Sequence, residues 1–122
     1  AVWSGQTALT YPLRALADSG ARLLFGSDAP VAPLDPWVTI AAAVGRTRDG
    51  REPWHPEETV PIRTALAASS ESGTGDDGAA VEPGAPADLA LTEFDPLMAS
   101  VDDLRRMNVK AALLGGRLTF AV

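Results

Sequence analysis

The chain has 122 residues, a length that fits one modest domain, and 46% of them are hydrophobic, which argues against disorder along the whole chain. Its 16 acidic and 10 basic residues give a net charge of −6, which argues against a nucleic-acid or anionic-membrane partner, since both favour a basic surface. The chain has no cysteine, so disulfides, thiolate metal sites and cysteine nucleophiles are excluded.

The first predicted element is a helix over about Pro12–Ser19. Apolar residues recur there at helical spacing, Thr10 is a suitable N-cap, and Gly20 is a natural stop. The apolar run Leu23–Phe25 comes next and is continuous rather than alternating. Such a run predicts a strand covered on both faces, as in a parallel α/β sheet, and we expect it over about Arg22–Gly26.

A proline-rich loop is predicted from Pro30 to Pro36. Asp35 is suited to cap a second helix, which is expected to end at Gly45. A second loop follows, with a turn signal at Asp49-Gly50. A third helix is then predicted over Glu57–Ser69, where apolar residues share one face.

Residues 71–80 are rich in Gly, Ser and Asp, which predicts a flexible linker between residues 1–70 and 81–122. After this linker the pattern changes to β. A strand is predicted over Asp88–Thr92, followed by a loop and a short helix. The last residues predict a hairpin of two strands around a Gly115-Gly116 turn.

The chain contains no apolar run of the roughly 18 residues that a membrane span needs. No basic-then-apolar secretory signal precedes the first predicted helix. A cytoplasmic protein is therefore the expectation, and it is compatible with the absence of cysteine. Because the sequence begins with Ala1 rather than Met, we also expect a fragment or a natural truncation of something longer.

Asp28 is the strongest candidate for chemistry. It follows a predicted buried strand and precedes a loop, and in parallel α/β folds ligands bind at the carboxyl ends of strands. The alternative is an N-cap or turn aspartate that is hydrogen-bonded to its own loop. Position alone leaves both interpretations open, because perturbed acids can also be structural.

The remaining candidates are weaker. His55 is the only histidine and cannot build a metal site alone, Ser27 has no nearby histidine for a triad, and Asp76 and Asp77 lack calcium-loop spacing. The tryptophans could line a pocket or fill gaps in the core; they are Trp3, Trp37 and Trp54. Water activation by a metal needs three or more ligands and a base, so these residues do not form a self-sufficient active site.

Four stretches nevertheless resemble a known family; they read YPLRALADSGARLLFGSDAPVAPLDPW, IAAAVGRTRDG, VEPGAPADLALTEFDPL and VKAALLGGRLTF. They cover most of the chain and look like the C-terminal part of a metal-dependent amidohydrolase of family 3, the branch typified by bacterial YtcJ-like proteins. The most specific matches are GSDAPV with PLDP, and EPG-x-x-ADL followed by a Gly-Gly-Arg hairpin.

The resemblance implies an α/β plus β fold. Residues 1–70 would be the last strand and helices of a (β/α)₈ barrel, with Arg22–Ser27 as that strand. Residues 81–122 would be the C-terminal segment of a small β-sandwich, the composite domain that the family builds from both chain ends. The polar stretch Ser69–Ala80 departs from the family, which usually has an apolar helix there.

The resemblance also implies roles for individual residues. Asp28 would lie at the metal centre, accept a proton from metal-bound water and pass it to the leaving group, and it could itself be a metal ligand. Ser27, Ala29 and Pro30 would line the substrate pocket. The cofactor would be a divalent metal, zinc being the expectation, held in the intact parent by histidines and other ligands outside this chain.

The implied activity is hydrolysis of a non-peptide C–N bond by metal-activated water, with the chain inactive and without tightly bound metal when alone. Its expected partners are a small amide-type substrate in the parent enzyme, and either the remainder of the barrel or a second copy of the chain. Two alternatives remain: a naturally truncated, non-catalytic binding or assembly module, and an unrelated small α+β domain.

Overall fold

The computed structural model describes residues 11–70 and 81–122. Those residues form helices α1 to α4 and strands β1 to β3; in chain order these are α1 Leu13–Asp18, α2 Pro36–Gly45, α3 Ile62–Ala68, β1 Leu89–Thr92, α4 Val101–Arg105, β2 Val109–Leu114 and β3 Arg117–Ala121. A 3₁₀ turn at Pro56–Glu58 precedes α3. The described part of the chain is therefore a small mixed α/β structure.

Local capping chemistry places α2 as predicted. The Asp35 carboxylate accepts a hydrogen bond from the Trp37 backbone N–H at 2.9 Å, and Pro36 occupies the first helical position, where no N–H is needed. Arg46 ends the helix in the left-handed region with φ 52°. The predicted cap and the predicted end of α2 are both confirmed.

The helix α1 is confirmed in place, and its N-terminus is capped by a distant residue. The Glu58 carboxylate accepts hydrogen bonds from the backbone N–H groups of Arg14, at 2.9 Å, and Ala15, at 3.2 Å. A carboxylate stabilises this end of a helix because unpaired N–H groups point at it. Gly20, with φ +80°, follows the helix as the predicted stop.

The third predicted helix begins later than predicted. Residues Pro56–Glu58 form the 3₁₀ turn instead, and α3 starts only after Pro61, at Ile62. The physical reason is that Pro61 disfavours helical backbone at the residue before it, so a helix could not run through Thr59 and Val60.

The core lies between α2, α3 and α4. Its buried side chains come from these three helices and the segments beside them; they are Ile40, Ala41, Ala43, Val60, Ala65, Leu104 and Met107. Leu104 of α4 is 1% exposed and is the largest fully buried side chain among the described residues. The short helix that follows the predicted linker is therefore part of the helical core.

The closest approach of α4 to α2 depends on a glycine. A Cβ atom at Gly45 would lie 2.6 Å from Cγ1 of Val101, a distance that real Cβ atoms do not tolerate. The β-branched Val101 is stiff about χ1 and cannot easily turn away. Gly45 is therefore required for the contact between the end of α2 and the start of α4.

We expect Gly45→Ala to lower the free energy of unfolding by about 1–3 kcal/mol, because overpacking forces a backbone or rotamer shift. Urea denaturation of the 122-residue chain measures this. Gly50→Ala is the matched control, since nothing lies within 4 Å of its Cβ position, and it should change stability by less than about 0.5 kcal/mol. Equal effects of the two variants would contradict the packing of α4 on α2.

The C-terminal residues form a three-stranded antiparallel sheet in the order β1-β2-β3. The two-residue turn between β2 and β3 has φ +56° at Gly115 and +77° at Gly116, as a type I′ turn requires. Asp88 joins this turn to the start of β1, because its carboxylate accepts a hydrogen bond from the Gly115 N–H at 2.6 Å. The predicted strand, turn and hairpin are confirmed.

The strand predicted over Arg22–Ser27 is not present: residues 21–28 form neither helix nor strand. Leu23 is buried, as predicted, and the Phe25 N–H donates to the Ala68 carbonyl at 2.7 Å. A strand exists only through hydrogen bonds to a neighbouring strand, whereas the bond from Phe25 goes to the end of helix α3. The (β/α)₈ barrel and the β-sandwich that the resemblance implies stay predictions.

In the described ranges, no helix is long and apolar enough to cross a membrane. The predicted linker at residues 71–80 lies outside the described residues, together with Thr10, Trp3, Asp76 and Asp77.

Candidate functional site

Asp28 lies on an exposed turn that follows the apolar run. Its backbone carbonyl accepts a hydrogen bond from the Val31 N–H at 2.9 Å, and its φ is 54°. The left-handed region is uncommon for a residue with a Cβ, although aspartate enters it more readily than most. Asp28 is exposed to solvent on this turn.

The Asp28 side chain makes no hydrogen bond or ion pair with any residue in the described ranges. Asp35 on the same loop is different, because its carboxylate caps α2. Among the described residues, Asp28 is bonded to its own loop through its backbone carbonyl and not through its carboxylate. The carboxylate has no structural partner among the described residues.

The residues predicted to line a substrate pocket lie directly beside Asp28 in the chain. Ser27 is half-buried, whereas Ala29 and Pro30 are exposed, and the peptide bond between the last two is cis. Asp28, Ala29 and Pro30 share one surface turn, and Ser27 directly precedes it. Their contact with a substrate stays a prediction.

The described residues do not form a complete metal site. Across residues 11–70 and 81–122, no group of three or more His, Cys, Asp or Glu side chains is placed to hold a metal ion. His55 pairs with Glu57 instead, with 2.6 Å between Nδ1 and Oε1, and this hydrogen bond holds the pKa of the Glu57 carboxyl below its ordinary value. The donor set of the described residues therefore does not fit a catalytic metal on its own.

A second feature is a cavity of about 330 Å³ between the end of α2, the loop that follows it and α4; the sequence pointed to it only through Trp54. Its walls combine apolar and cationic side chains; they are Tyr11, Val38, Ala42, Arg46, Thr47, Arg48, Trp54 and Arg105. Trp54 thus lines a cavity, whereas Trp37 packs against the core. No sequence pattern could have joined Arg105 to this loop, because the contact is long-range.

Comparison with known proteins relates the sequence of this chain to a family. The sequence model of the amidohydrolase family matches residues 3–120. The chain is also similar to the N-substituted formamide deformylase of Arthrobacter pascens, with 27% identity over 127 aligned positions. The alignment covers 98% of this chain but 23% of that protein, so the chain spans about a quarter of the relative's length. No solved structure matches the chain.

Proposed function

Because the chain belongs to the amidohydrolase family, we propose that it is the C-terminal part of an enzyme that hydrolyses C–N bonds in small, non-peptide amides. The match to the family extends over residues 3–120, almost the whole chain. The similarity to a quarter of a longer relative supports a role as one part of a larger catalytic unit.

The substrate class follows from the chemistry of the family and of the relative. That relative acts on N-substituted formamides, according to its name. We extend to this chain the broader class, a small amide whose nitrogen carries a substituent. Hydrolysis adds water across the C–N bond and releases a carboxylic acid and an amine.

The observation that carries the proposal is the carboxylate of the exposed Asp28, which has no partner among residues 11–70 and 81–122. Amine expulsion from an amide requires a proton on the leaving nitrogen, and a carboxylate that is not used in folding is free to carry it. In the proposed reaction Asp28 takes a proton from the attacking water and delivers it to the nitrogen as the C–N bond breaks. Ser27, Ala29 and Pro30 line the adjoining surface.

The family is typically metal-dependent, and a divalent metal, zinc in the first instance, would activate the attacking water. The described residues do not assemble three ligands, so this chain would contribute at most Asp28 and the other ligands would come from outside it. What this chain supplies on its own is the carboxylate and the turn that presents it.

The remainder of the enzyme is the proposed partner of the apolar side chains that this structure leaves exposed. They occur beside the candidate site and on the sheet; examples are Leu24, Val31, Leu91, Leu118 and Phe120. Covering such side chains stabilises a protein by roughly 25 cal/mol for each Å² removed from water. Self-association of the isolated chain, through the same surfaces, stays the alternative prediction.

The experiment compares two purified proteins on one substrate. The first is the product of the whole reading frame that contains residues 1–122, and the second is the 122-residue chain alone. We expect the first to release formate from a simple N-substituted formamide, to lose activity with a chelator and to regain it with zinc. The isolated chain should release none.

Two results would contradict the proposal. One is a whole reading frame that folds but hydrolyses no member of a panel of formamides, acetamides and cyclic amides in the presence of zinc, manganese or nickel. The other is a start codon at the beginning of the chain and a folded product without hydrolytic activity. Either result would favour a non-catalytic binding or assembly module.

A further inference from the structure

The cavity beside the end of α2 has walls that are fixed in place. Arg46 and Trp54 close the intervening loop by two hydrogen bonds: the Trp54 N–H donates to the Arg46 carbonyl at 2.8 Å, and Arg46 Nε donates to the Trp54 carbonyl at 3.1 Å. The Arg46 guanidinium carbon lies 5.1 Å from the centre of the Trp54 ring, within reach of a cation–π interaction. The cavity wall is thus organised before any ligand arrives.

The opposite wall is fixed by α4. One guanidinium nitrogen of Arg105 donates to the Thr47 carbonyl at 2.9 Å, and the other pairs with Asp102 at 2.6 Å. Val38 and Ala42 of α2 form the apolar part of the lining. The site therefore combines an apolar floor with cationic groups on two sides.

The cationic charge at this cavity is only partly balanced, because Glu57 interacts with Arg46 and Asp49 with Arg48 through charge without forming an ion pair. Arg46, Arg48 and Arg105 all line it, and in the described ranges the one carboxylate that pairs with any of them is Asp102. Asp49 follows Arg48 in the chain but pairs with Arg51 at 2.7 Å. This local excess of positive charge occurs in a chain whose net charge is −6.

One donor in this wall has no acceptor. Nη2 of Arg46 is buried from solvent and has no hydrogen-bond partner among the described residues. A buried donor on a charged group costs free energy when it is left unpaired. Because this nitrogen is shielded from solvent, it does not face the open cavity, so Arg46 offers a ligand its positive charge and not this donor.

We propose that this cavity binds a small organic carboxylate that carries an apolar group. The guanidinium groups of the arginines would face the carboxylate, a pairing that Arg makes well through its planar set of donors. The apolar group would lie against Val38, Ala42 and the Trp54 ring. Inorganic phosphate fits the charge but leaves this apolar floor uncovered, and a cavity of about 330 Å³ suits a molecule no larger than a single substituted ring.

The proposal does not depend on amide hydrolysis, and its test measures binding alone. Phenylacetate is the probe, and its neutral isostere phenylacetamide and inorganic phosphate are the comparison ligands. The ligands are titrated at low salt into the ¹⁵N-labelled chain, and NMR spectra follow the indole N–H signal of Trp54. That signal is identified as the one missing from the spectrum of the Trp54→Phe variant. We expect saturable binding of phenylacetate that is about tenfold or more tighter than that of phenylacetamide, from the charge-assisted hydrogen bonds.

A pair of arginine variants tests whether phenylacetate binds in this cavity. Arg48 is an exposed arginine of the cavity and forms no ion pair with a described residue. In the Arg48→Gln variant we expect phenylacetate to bind about two- to fivefold more weakly. Arg63→Gln makes the same change at an exposed position on α3 outside the cavity lining, and it should bind like the unaltered chain. Equal binding of the neutral isostere, equal effects of the two variants, or no saturable shift of the Trp54 signal would each overturn the proposal.

Discussion

Replacement of Asp28 by Asn in the whole enzyme is expected to lower kcat by about 10²- to 10⁴-fold, the usual contribution of general acid–base catalysis. Asn keeps the shape of the side chain and tolerates the left-handed backbone that Asp28 adopts with φ 54°, so the turn should survive. It cannot take up a proton at neutral pH. Because the Asp28 carboxylate has no partner among the described residues, its loss should leave the folded structure intact.

Steady-state hydrolysis of the amide substrate measures the effect, with thermal unfolding as the check on folding. Asp35→Asn is the matched control, since it makes the same chemical change on the same loop at the N-cap of α2, where Asn serves as well as Asp. The control should retain the activity of the unaltered enzyme. A value of kcat for the Asp28 variant within about threefold of the control would rule out the proton-transfer role.

Truncation of Leu104 to Ala is expected to lower the free energy of unfolding by about 2–5 kcal/mol, the range found for buried leucines. Leu104 is 1% exposed and lies in the core with Ile40, Ala41 and Met107. Small domains are stable by only about 5–15 kcal/mol, so this one change should remove a large fraction of the stability.

Urea denaturation of the chain measures the loss by linear extrapolation. Leu34→Ala is the control, because Leu34 is 85% exposed on the proline-rich loop and its truncation should change stability by less than about 0.5 kcal/mol. If both variants unfold at the same urea concentration, α4 does not pack in the helical core. That outcome would also remove Arg105 from the wall of the cavity.

Much of the local structure could be predicted because it depends on residues that are close together in the chain. Asp35 caps α2 through the N–H of a residue two positions later, and Gly115 and Gly116 adopt the positive φ values that a two-residue hairpin turn requires. The predicted start of α3 was wrong, although the sequence signal for it was local. The effect of Pro61 on the residue before it outweighed the helical spacing of the apolar residues.

The candidate site could be predicted only in part. The position of Asp28 after an apolar run, just before a proline-rich loop, identified the residue, and the structure shows that the carboxylate is exposed and without a partner among the described residues. Its role in catalysis stays a prediction. The sequence allowed Trp54 to line a pocket, but no signal placed Arg46 or Arg105 beside it, because the two walls come from segments far apart in the chain.

By itself, the sequence determined the helix caps, the hairpin and the resemblance to the amidohydrolase family, because each depends on short motifs whose geometry is set within a few residues. Only the tertiary structure decided that residues 21–28 form no strand, that Leu104 of α4 lies in the core, and that Val101 packs against Gly45. The physical reason is the range of the interactions. A cap or a turn is complete within its own segment, whereas a strand needs hydrogen bonds from a neighbour and a core needs side chains from several elements.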